Sequence, residues 1–459
     1  MVHKHIPVLI ALLLVLVVLP GLGCRGGTKE AKEALQPVTL DMWGVFDNPD
    51  AFRETINGYR AAHPNVRINY RKLRYDEYQD ELLRAFAEDR GPDVFAVHNT
   101  WMKGYLPLIE PMPETVKIAY KEVRGTVKKE EVVVVRTEPT MSLRDLSDDY
   151  VQVVSEDVVY QAKDGDVTRN RIHGLSLSVD TLALFYNKDI LDAAGIPEPP
   201  KTWDEFQEQV IKLTRYDAKG NVAQSGAGIG TGANVDRAVD IVSLLMMQNE
   251  TQMTNSAGRA TFAQRAQGSR AFPAIDAVRF YTDFANPTKE SYTWGAGFPS
   301  SFDAFASGQT AFFFGYSYHI PLLSARAQKI NYDIAPVPQL GSSRVDYANY
   351  WIHTVSKKSK SPDWAWDFVL YAADKEQVMS YLNAAQKPTA LRALILEQLD
   401  DAQLGVFADQ VLTAQDWYNG SNAIAAENAI VQMIDAVVEG DVLIEEALPI
   451  AEQQVNQTL

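Results

Sequence analysis

Histidine and cysteine, the residue types that most often bind metals or carry covalent chemistry, are few in this sequence. It contains one cysteine, Cys24, and seven histidines, at positions 3, 5, 63, 98, 173, 319 and 353. The histidines do not repeat at the spacings typical of zinc ligands, and the cysteine stands alone. We therefore expect no metal site, and we interpret His98 as a hydrogen-bonded loop residue.

The sequence also lacks the glycine-rich motifs of phosphate-binding loops. Residues 226–232 alternate glycine with other residues, but they follow a polar turn and lack the G-x-G-x-x-G spacing of a dinucleotide site. No Gly-Lys-Ser or Gly-Lys-Thr of a Walker motif occurs. The sequence therefore predicts no cofactor and no catalytic residues. Pairs of Asp and Glu leave one exception open, because a glycosidase needs only two carboxyl groups about 5 to 9.5 Å apart.

Cys24 lies at the end of a segment that has the pattern of a signal peptide. A short basic segment precedes the apolar run 6–20, and small residues lead from that run to Cys24. This order is typical of a secretory signal, and the run is shorter than the roughly 20 residues of a membrane span. The block also resembles the signal and lipobox of bacterial lipoproteins, with Gly21 where leucine is usual. We predict a signal peptide over 1–23, lipid on Cys24 and a flexible tether over 24–37.

The composition describes an acidic, folded protein. Its 459 residues carry a formal net charge of −16, which argues against nucleic acid as a partner because phosphate binding needs clustered Lys and Arg. The 20 Tyr, 18 Phe and 8 Trp are too many for a disordered acidic chain. The chain exceeds the length at which one hydrophobic core usually stops growing, so we expect two lobes.

Strands and helices alternate in the first part of the chain. Residues 38–44, 66–73 and 93–97 have the pattern of strands, and helices ended by proline-containing turns are predicted between them. This order is typical of a parallel sheet flanked by helices. Ligands of such sheets bind beyond the carboxyl ends of the strands, where Trp43 and residues 98–101 lie.

Residues 115–170 interrupt this alternation. A charged run leads into a short apolar strand, and the stretch after it is acidic. We predict an inserted, β-rich segment here. From about residue 174 the alternation returns with a buried strand at 182–186, and the remainder is mainly helical.

One stretch of the sequence carries a family resemblance. Residues 186–195 read YNKDILDAAG and residues 199–206 read PPKTWDEF. They closely resemble the most recognisable segment of the family 1 bacterial extracellular solute-binding proteins, which serve ABC transporters that import sugars and include the maltose-binding proteins. Further matching segments follow in the expected order: Trp43-Gly44, GPDVF at 91–95, FASGQTA at 305–311, SKKSKSP at 356–362 and the end of the chain from Gly440.

The resemblance implies an α/β fold of the two-lobed, type II periplasmic-binding kind. Each lobe would be a mainly parallel sheet flanked by helices, with the ligand in the cleft between the lobes. The first lobe would comprise residues 38–172 with 348–395 and would contain the insertion 115–170. The second would comprise residues 173–347 with 396–459.

A carbohydrate presents flat C–H faces and hydroxyl edges, so its site needs aromatic rings together with polar side chains. The resemblance places several such residues at the cleft, and these are the candidate ligand-binding residues: Trp43, Asn99, Trp101, Ser178, Asp180, Tyr316, Tyr318, Tyr350, Trp351 and Trp417. Aromatic residues are also common in cores, and Asn, Ser and Asp in turns, so packing and capping roles stay open for each of them.

The resemblance implies a monomeric binding protein held outside the cytoplasm, at the cell surface or in a periplasm, by the lipid on Cys24. It would capture a sugar or oligosaccharide by hinge closure and deliver it to the permease of an ABC transporter. Two alternatives stay open. One is a lipid-anchored carbohydrate-active enzyme that uses a carboxylate pair, and the other is a surface adhesion lipoprotein that uses the 115–170 insertion.

Overall fold

The computed structural model describes residues 35–125, 129–266, 271–341 and 343–459. The predicted signal peptide, Cys24 and most of the predicted tether lie outside these residues. Within the described ranges, no helix is long and apolar enough to cross a membrane. One compact unit comprises residues 37–118 and 137–459, and residues 119–136 belong to another.

The described residues contain both helices and strands throughout. The strands are β1 (Val38–Gly44), β2 (Val66–Lys72), β3 (Val94–His98), β4 (Thr115–Arg124), β5 (Glu130–Pro139), β6 (Val159–Asp164), β7 (Val167–Ile172), β8 (Asp180–Thr181), β9 (Ala183–Asn187), β10 (Arg215–Tyr216), β11 (Val222–Ala227), β12 (Thr310–Gly315), β13 (Tyr332–Pro336), β14 (Asp346–Asn349), β15 (Trp351–Val355) and β16 (Ala414–Gln415). The α-helices are α1 (Arg53–Ala62), α2 (Tyr75–Ala87), α3 (Met102–Tyr105), α4 (Leu143–Asp149), α5 (Gln152–Asp157), α6 (Lys188–Ala193), α7 (Trp203–Leu213), α8 (Ala238–Gln248), α9 (Pro273–Asp283), α10 (Ser301–Ala306), α11 (His319–Arg326), α12 (Pro362–Ala372), α13 (Lys375–Ala385), α14 (Arg392–Gln398), α15 (Gly405–Gln410), α16 (Ala423–Glu439) and α17 (Ile444–Asn456). Short 3-10 helices occur at Pro49–Phe52, Asn99–Trp101 and Leu106–Leu108.

The first lobe is built on a four-stranded sheet in the order β15-β3-β1-β2. β1 is parallel to β2 and to β3, whereas β15 is antiparallel to β3. The three strands predicted at the start of the chain and the helices between them are confirmed. β3 is buried along its whole length, as expected of a strand covered on both faces. The segments that follow β1 and β3 therefore lie together at one edge of the sheet.

The second lobe is built on a five-stranded sheet in the order β10-β11-β12-β9-β13. Its strand directions differ from the expectation of a mainly parallel sheet: β11 and β12 are parallel, but β9 is antiparallel to both β12 and β13. The cause is the route of the chain. β9 starts directly after β8, and its first residue, Ala183, pairs with the last residues of β12 and β13, Gly315 and Pro336. β9 therefore enters the sheet at the edge where its neighbours leave it.

A third sheet of short strands, in the order β16-β14-β8, carries the chain between the lobes. β14 leads from the second lobe into β15 of the first, and β8 leads from the first lobe into β9. β14 is antiparallel to β8 and parallel to β16. The two-lobed α/β architecture expected from the resemblance is confirmed, and the residue boundaries of the lobes stay predictions.

The 115–170 segment contains two hairpins, β4–β5 and β6–β7, with α4 and α5 between them. The β-rich character was predicted, but the two helices were not. α4 begins at a capping box, in which the Ser142 hydroxyl accepts from the Asp145 N–H at 3.1 Å and the Asp145 carboxylate accepts from the Ser142 N–H at 3.1 Å. Within residues 119–136, Glu122 forms ion pairs with Arg124 and Arg136.

The glycine run 226–232 serves close packing. A Cβ at Gly226 would lie 2.5 Å from the carbonyl oxygen of Val210, and a Cβ at Gly232 would lie 2.7 Å from that of Val431. Gly230 has φ of +116°, and a Cβ there would lie 2.8 Å from the backbone nitrogen of Ala285. The alternating glycines therefore allow neighbouring backbone to approach the end of β11.

The substitution Gly230→Ala is expected to lower the free energy of unfolding by about 2–4 kcal/mol, because it adds a steric clash to backbone strain. Gly220→Ala is the matched control: Gly220 also has a positive φ, +85°, but has open space around its Cβ position. The control is expected to lose about 1 kcal/mol. Urea denaturation measures both values, and equal losses would contradict the packing role.

Candidate functional site

Five aromatic side chains from the two lobes meet at the ends of their strands. Phe46, Tyr75, Trp101 and Trp351 come from the first lobe, and Tyr318 comes from the second. The ring centroids of Trp101 and Trp351 lie 5.3 Å apart, and those of Phe46 and Tyr75 lie 5.7 Å apart. Phe46 and Tyr318 are stacked across the cleft, with centroids 5.8 Å apart and ring planes at 6°. We call these five rings the aromatic cluster. Phe46 and Tyr75 keep 42% and 47% of their surface exposed, so the cluster presents apolar surface to solvent.

The loop that carries Phe46 is held in place by ionic and polar contacts. The Lys72 ammonium donates to the Phe46 carbonyl oxygen at 2.7 Å. The next residue, Asp47, accepts from the Lys387 ammonium at 2.5 Å and from the Tyr381 hydroxyl at 2.9 Å. Lys387 and Asp47 are both largely buried, so this pair is better shielded from solvent than a surface ion pair. The Phe46 ring is therefore presented by a loop whose backbone is fixed.

A small cavity with a volume of about 20 Å³ lies next to the aromatic cluster. Its lining comes from both lobes and from β14: His98, Thr100, Arg237, Val239, Asp240, Tyr347, Ala348, Asn349, Trp417, Tyr418, Ala423, Ala426, Glu427 and Ile430. Burial and the Glu427 carboxylate raise the pKa of Tyr75 in the cluster, while Arg237 opposes that rise. The charges of the cavity therefore act directly on the rings of the cluster.

A buried ion pair forms one wall of the cavity. Arg237 Nε donates to Asp240 Oδ2 at 2.7 Å, and the Tyr316 hydroxyl donates to the same oxygen at 2.6 Å. The Arg237 guanidinium also lies 5.7 Å from the centroid of the Tyr316 ring. Tyr316 in turn stacks on Tyr318, with centroids 5.8 Å apart. The ion pair and the aromatic cluster are therefore one connected structure.

The backbone of Arg237 is strained, and its neighbour holds it. Arg237 has φ of +62° immediately before α8, a conformation that costs a non-glycine residue about 1–3 kcal/mol. The carboxylate of Asp236 accepts from the Ser301 hydroxyl and from the Phe302 N–H, each at 2.9 Å. Backbone strain of this kind is common at functional sites, where it holds a side chain in one position.

Two further titratable groups face the cavity. Burial raises the pKa of Glu427 on α16, and the Arg237 guanidinium counteracts part of that rise. Burial lowers the pKa of His98 to about 4, so its imidazole is neutral near pH 7, and its Nδ1 lies 2.8 Å from Thr100 Oγ1. His98 is hydrogen-bonded as predicted, but it is the last residue of β3 rather than a loop residue, and it lines the cavity.

A carboxyl pair lies beside the cavity, at the end of β16. Asp416 accepts a hydrogen bond from Asn99 Nδ2, and Asp157 accepts from the Tyr350 hydroxyl at 2.5 Å. Burial raises the pKa of both carboxyl groups, and the Asp416 charge raises that of Asp157 further.

Four of the predicted site residues lie in the aromatic cluster or the cavity. Trp101, Tyr318 and Trp351 are cluster members, and Trp417 lines the cavity. The Trp417 ring is fixed by a hydrogen bond of 3.0 Å from its Nε1 to the hydroxyl of Ser243. Tyr316 is fully buried behind Tyr318, where it supports the cluster.

The other predicted residues are engaged in contacts within the protein. Asn99 donates to Asp416, and Tyr350 donates to Asp157. The Arg71 guanidinium lies over the Trp43 ring, with its carbon 4.7 Å from the ring centroid. Asp180 accepts from the Ser317 N–H and hydroxyl, and burial raises its pKa to about 6. The Ser178 carbonyl accepts from Ser176 at 2.6 Å. These contacts are those of the packing and capping roles that the sequence left open.

Several residues of the site were not among the candidates. Phe46, Tyr75, Arg237, Asp240, Tyr347 and Glu427 belong to the cluster or the cavity. Two of them carried a usable signal in the sequence: Phe46 lies two residues beyond the end of β1, and Glu427 interrupts the apolar stretch of α16. Arg237 and Asp240 lie at the start of a helix, where charged residues are common, so their pattern does not distinguish a site from a helix end.

Residues 54–399 match the family described as bacterial extracellular solute-binding protein. Among curated relatives, the maltodextrin-binding protein MdxE of Bacillus subtilis (strain 168) is 24% identical over 348 residues, which cover 71% of this chain and 74% of that protein. A binding protein of Brucella abortus (strain 2308) is 19% identical over 164 residues, and there the match covers 35% of this chain and only 32% of the relative.

Solved structures share the fold at low sequence identity. A solute-binding protein of an ABC transporter from Thermotoga lettingae, bound to α-D-tagatose, has a TM-score of 0.67 at 18% identity, with 91% of this chain and 99% of that chain covered. The GacH receptor of Streptomyces glaucescens has a TM-score of 0.68 at 17% identity, with 92% and 98% covered.

Two α/β lobes, three crossing strands and a lined cavity between the lobes define a binding protein of the type II periplasmic kind. The chain belongs to the bacterial extracellular solute-binding protein family. Its likeness to the solved structures confirms the fold class expected from the resemblance.

The ion pair in the cavity wall is expected to contribute to the stability of the folded protein. Asp240→Asn removes the partner of a buried guanidinium, so the free energy of unfolding is expected to fall by about 3–5 kcal/mol. Tyr316→Phe removes one hydrogen bond to the same carboxylate and is expected to cost about 1.5–3 kcal/mol. Urea denaturation of both single variants and the double variant measures the coupling. Additive losses would contradict a connected pair.

Proposed function

We propose that this protein captures a carbohydrate outside the cytoplasm and delivers it to the permease of an ABC transporter. The observation that carries the proposal is the aromatic cluster next to a cavity lined by Arg237 and Glu427. The structural neighbours that bind α-D-tagatose and acarbose, and the maltodextrin-binding relative, support a sugar as the ligand class. The lipid on Cys24 and a monomeric state belong to the same proposal.

The side chains suit a polyhydroxylated ligand. Aromatic faces bind the C–H faces of sugar rings, as Trp351 and Tyr318 could from opposite lobes. The Arg237 guanidinium supplies hydrogen-bond donors, and the Glu427 carboxylate supplies acceptors. Hydroxyl groups need both, because each donates one hydrogen bond and accepts others.

The cavity as it stands is smaller than a sugar ring. Its volume of about 20 Å³ holds about one water molecule, whereas small-molecule sites have about 300–1,000 Å³. We therefore propose that a sugar is admitted when the lobes move apart and that it binds along the aromatic cluster, whose Phe46 and Tyr75 rings are the most exposed members.

Closure of the lobes is the proposed mechanism. His98 and Thr100 on the first lobe and Arg237 and Glu427 on the second line the same cavity. A ligand that contacts both sets binds the closed form more tightly than the open form and so shifts the equilibrium towards closure. The crossing strands β8, β14 and β16 are the segments about which the lobes would rotate.

A thermal-shift screen of the soluble chain from residue 25 tests the proposal. The panel contains mono- and oligosaccharides, polyols and glycerol phosphates, each with product analysis. A ligand at a hundred times its dissociation constant adds about 2.7 kcal/mol to the stability of the folded state. A shift with one sugar class and no product supports the proposal. Conversion of a glycan would identify the enzyme alternative, and no shift with any compound would contradict sugar binding.

Trp351→Ala is expected to weaken binding of the sugar found in that screen by about 1–3 kcal/mol, the value of one buried aromatic contact. Trp43→Ala is the matched control, because Trp43 packs under Arg71 rather than in the aromatic cluster. Isothermal titration calorimetry measures both dissociation constants. An unchanged constant in a correctly folded Trp351 variant, or an equal loss in the control, would contradict the role of the cluster.

A further inference from the structure

Aromatic rings of the cleft form one stack that runs from the first lobe into the second. Trp101 stacks on Tyr75, with ring centroids 6.2 Å apart and ring planes at 28°. Tyr75 stacks on Phe46 at 5.7 Å and 20°, and Phe46 stacks on Tyr318 at 5.8 Å and 6°. Tyr318 extends the stack to Tyr316, at 5.8 Å and 19°. Centroid separations of about 4.5–7 Å are those of attractive aromatic pairs.

The pair formed by Phe46 and Tyr318 is the step of this stack that joins the lobes. Phe46 lies two residues beyond the end of β1 in the first lobe, and Tyr318 lies three residues beyond the end of β12 in the second. Each of the other three steps lies within one lobe. We call the stacking of Phe46 on Tyr318 the closing contact. Separation of the lobes at the cleft breaks the closing contact and leaves the other steps intact.

The closing contact occupies space that a ligand would need. The two rings are nearly parallel and in contact, so no sugar ring fits between them. The neighbouring cavity, of about 20 Å³, holds about one water molecule. Phe46 keeps 42% of its surface exposed, which places the closing contact at the mouth of the cleft. A sugar that enters the cleft therefore has to part Phe46 from Tyr318.

The loop of Phe46 is held on both sides of the ring. The Lys72 ammonium donates to the Phe46 carbonyl oxygen at 2.7 Å and to Asn48 Oδ1 at 2.9 Å. Between these residues, the Asp47 carboxylate accepts from the Tyr381 hydroxyl at 2.9 Å. The backbone of Phe46 therefore moves with the first lobe. Its ring does not follow Tyr318 when the second lobe moves away.

We propose that Phe46 closes the empty cleft by stacking on Tyr318 in place of a sugar ring, so that the unliganded protein holds its lobes together and excludes ligand until this contact breaks. The proposal concerns regulation of the same site, and it rests on the proposed function for the identity of the ligand. It also predicts the conformation of the unliganded chain, which does not depend on any ligand.

The closing contact has two measurable effects. One aromatic pair changes an equilibrium constant by about two- to twelvefold, so the closed form of the empty protein is favoured by about that factor. A sugar enters the open form alone, and the observed association rate constant is therefore proportional to the open fraction. Loss of the Phe46 ring raises both quantities by the same factor while the open fraction remains small.

Phe46→Ala removes the ring and keeps the loop, because Lys72 binds the backbone carbonyl of residue 46 and not its side chain. The exposure of Phe46 makes it unlikely to be needed for folding, and the variant is expected to fold. Phe298→Ala is the matched control. Phe298 is half-buried and stacks on Trp294 at 4.5 Å and 21°, but both rings belong to the second lobe.

A distance measurement between the lobes of the unliganded chain is the first test. The soluble chain from residue 25 contains no cysteine, because Cys24 is the only one in the sequence. Asp80→Cys on α2 and Ala325→Cys on α11 replace exposed residues and attach one spin label to each lobe. Tyr75 begins α2, and α11 directly follows Tyr318, so the labels report on the two sides of the closing contact.

Pulsed electron double resonance is expected to show a mainly closed population in the labelled parent. In Phe46→Ala the ratio of open to closed molecules is expected to rise about two- to twelvefold, and Phe298→Ala is expected to match the parent. The same distance distribution in all three proteins would overturn the proposal. An equal opening in the control would overturn it as well, because the effect would then not belong to the contact between lobes.

Stopped-flow binding of the sugar found in the thermal-shift screen is the second test. The association rate constant of Phe46→Ala is expected to exceed that of the wild type by the factor found for the open population, and the control is expected to equal the wild type. If no sugar binds, the proposed function fails, while the distances still decide the role of Phe46. If a sugar binds with unchanged distances and rates, the proposed function stands and the closing contact is overturned.

Discussion

The ion pair between Arg237 and Asp240 is the constraint on which the rest of the site depends. A charge at the wall of an enclosed cavity is stable only where a partner and hydrogen bonds compensate its lost hydration. Here Asp240 meets both the guanidinium and the Tyr316 hydroxyl, so one carboxylate fixes a cation and an aromatic ring at once. Because Tyr316 supports Tyr318, the position of this carboxylate also sets the surface that stacks on Phe46.

The two lobes contribute different physical properties to the site. The first lobe supplies most of the rings, and the Phe46 loop is held by Lys72 and Lys387. The second lobe supplies the charged groups of the cavity wall, Arg237 and Glu427. Apolar faces tolerate variation in ligand orientation, whereas charged groups select hydrogen-bond geometry. A ligand can therefore contact both the rings and the charged groups only when the two lobes are brought together.

The sequence predicts this fold well where local pattern decides it. The alternation that places β1, β2 and β3 depends on neighbouring residues, and so does the capping box in which Thr202 accepts from the Glu205 N–H at 3.2 Å. The directions of the strands in the second sheet depend instead on where the chain crosses between lobes. No local pattern contains that information, and the expectation of a mainly parallel second sheet came from the resemblance.

The residues of the candidate site also include some that the sequence predicts and others that only tertiary structure brings together. Trp101, Trp351 and Tyr318 lie at strand ends, and the family resemblance placed them at the cleft. Arg237 and Glu427 lie about 190 positions apart and are brought together by the packing of α8 against α16. Asp180 and Tyr350 were candidates by the same reasoning as the rings, but tertiary hydrogen bonds to Ser317 and Asp157 occupy their polar atoms. Side-chain chemistry was readable from the sequence, whereas the partner of each side chain was not.

The charge balance of the cavity constrains the ligand as strongly as its shape does. An anionic ligand would face Glu427 and the carboxylate of Asp240, and Arg237 is already engaged by the latter. A cationic ligand would compete with Arg237 for the same carboxylates. Burial raises the pKa of Glu427, which reduces the cost of leaving it near a neutral partner. A site with one cation, its counter-ion and a second, partly neutralised acid is therefore suited to a ligand that is polar and uncharged. The hydroxyl groups of a neutral sugar satisfy that requirement, since they donate to the carboxylates and accept from the guanidinium without adding a charge.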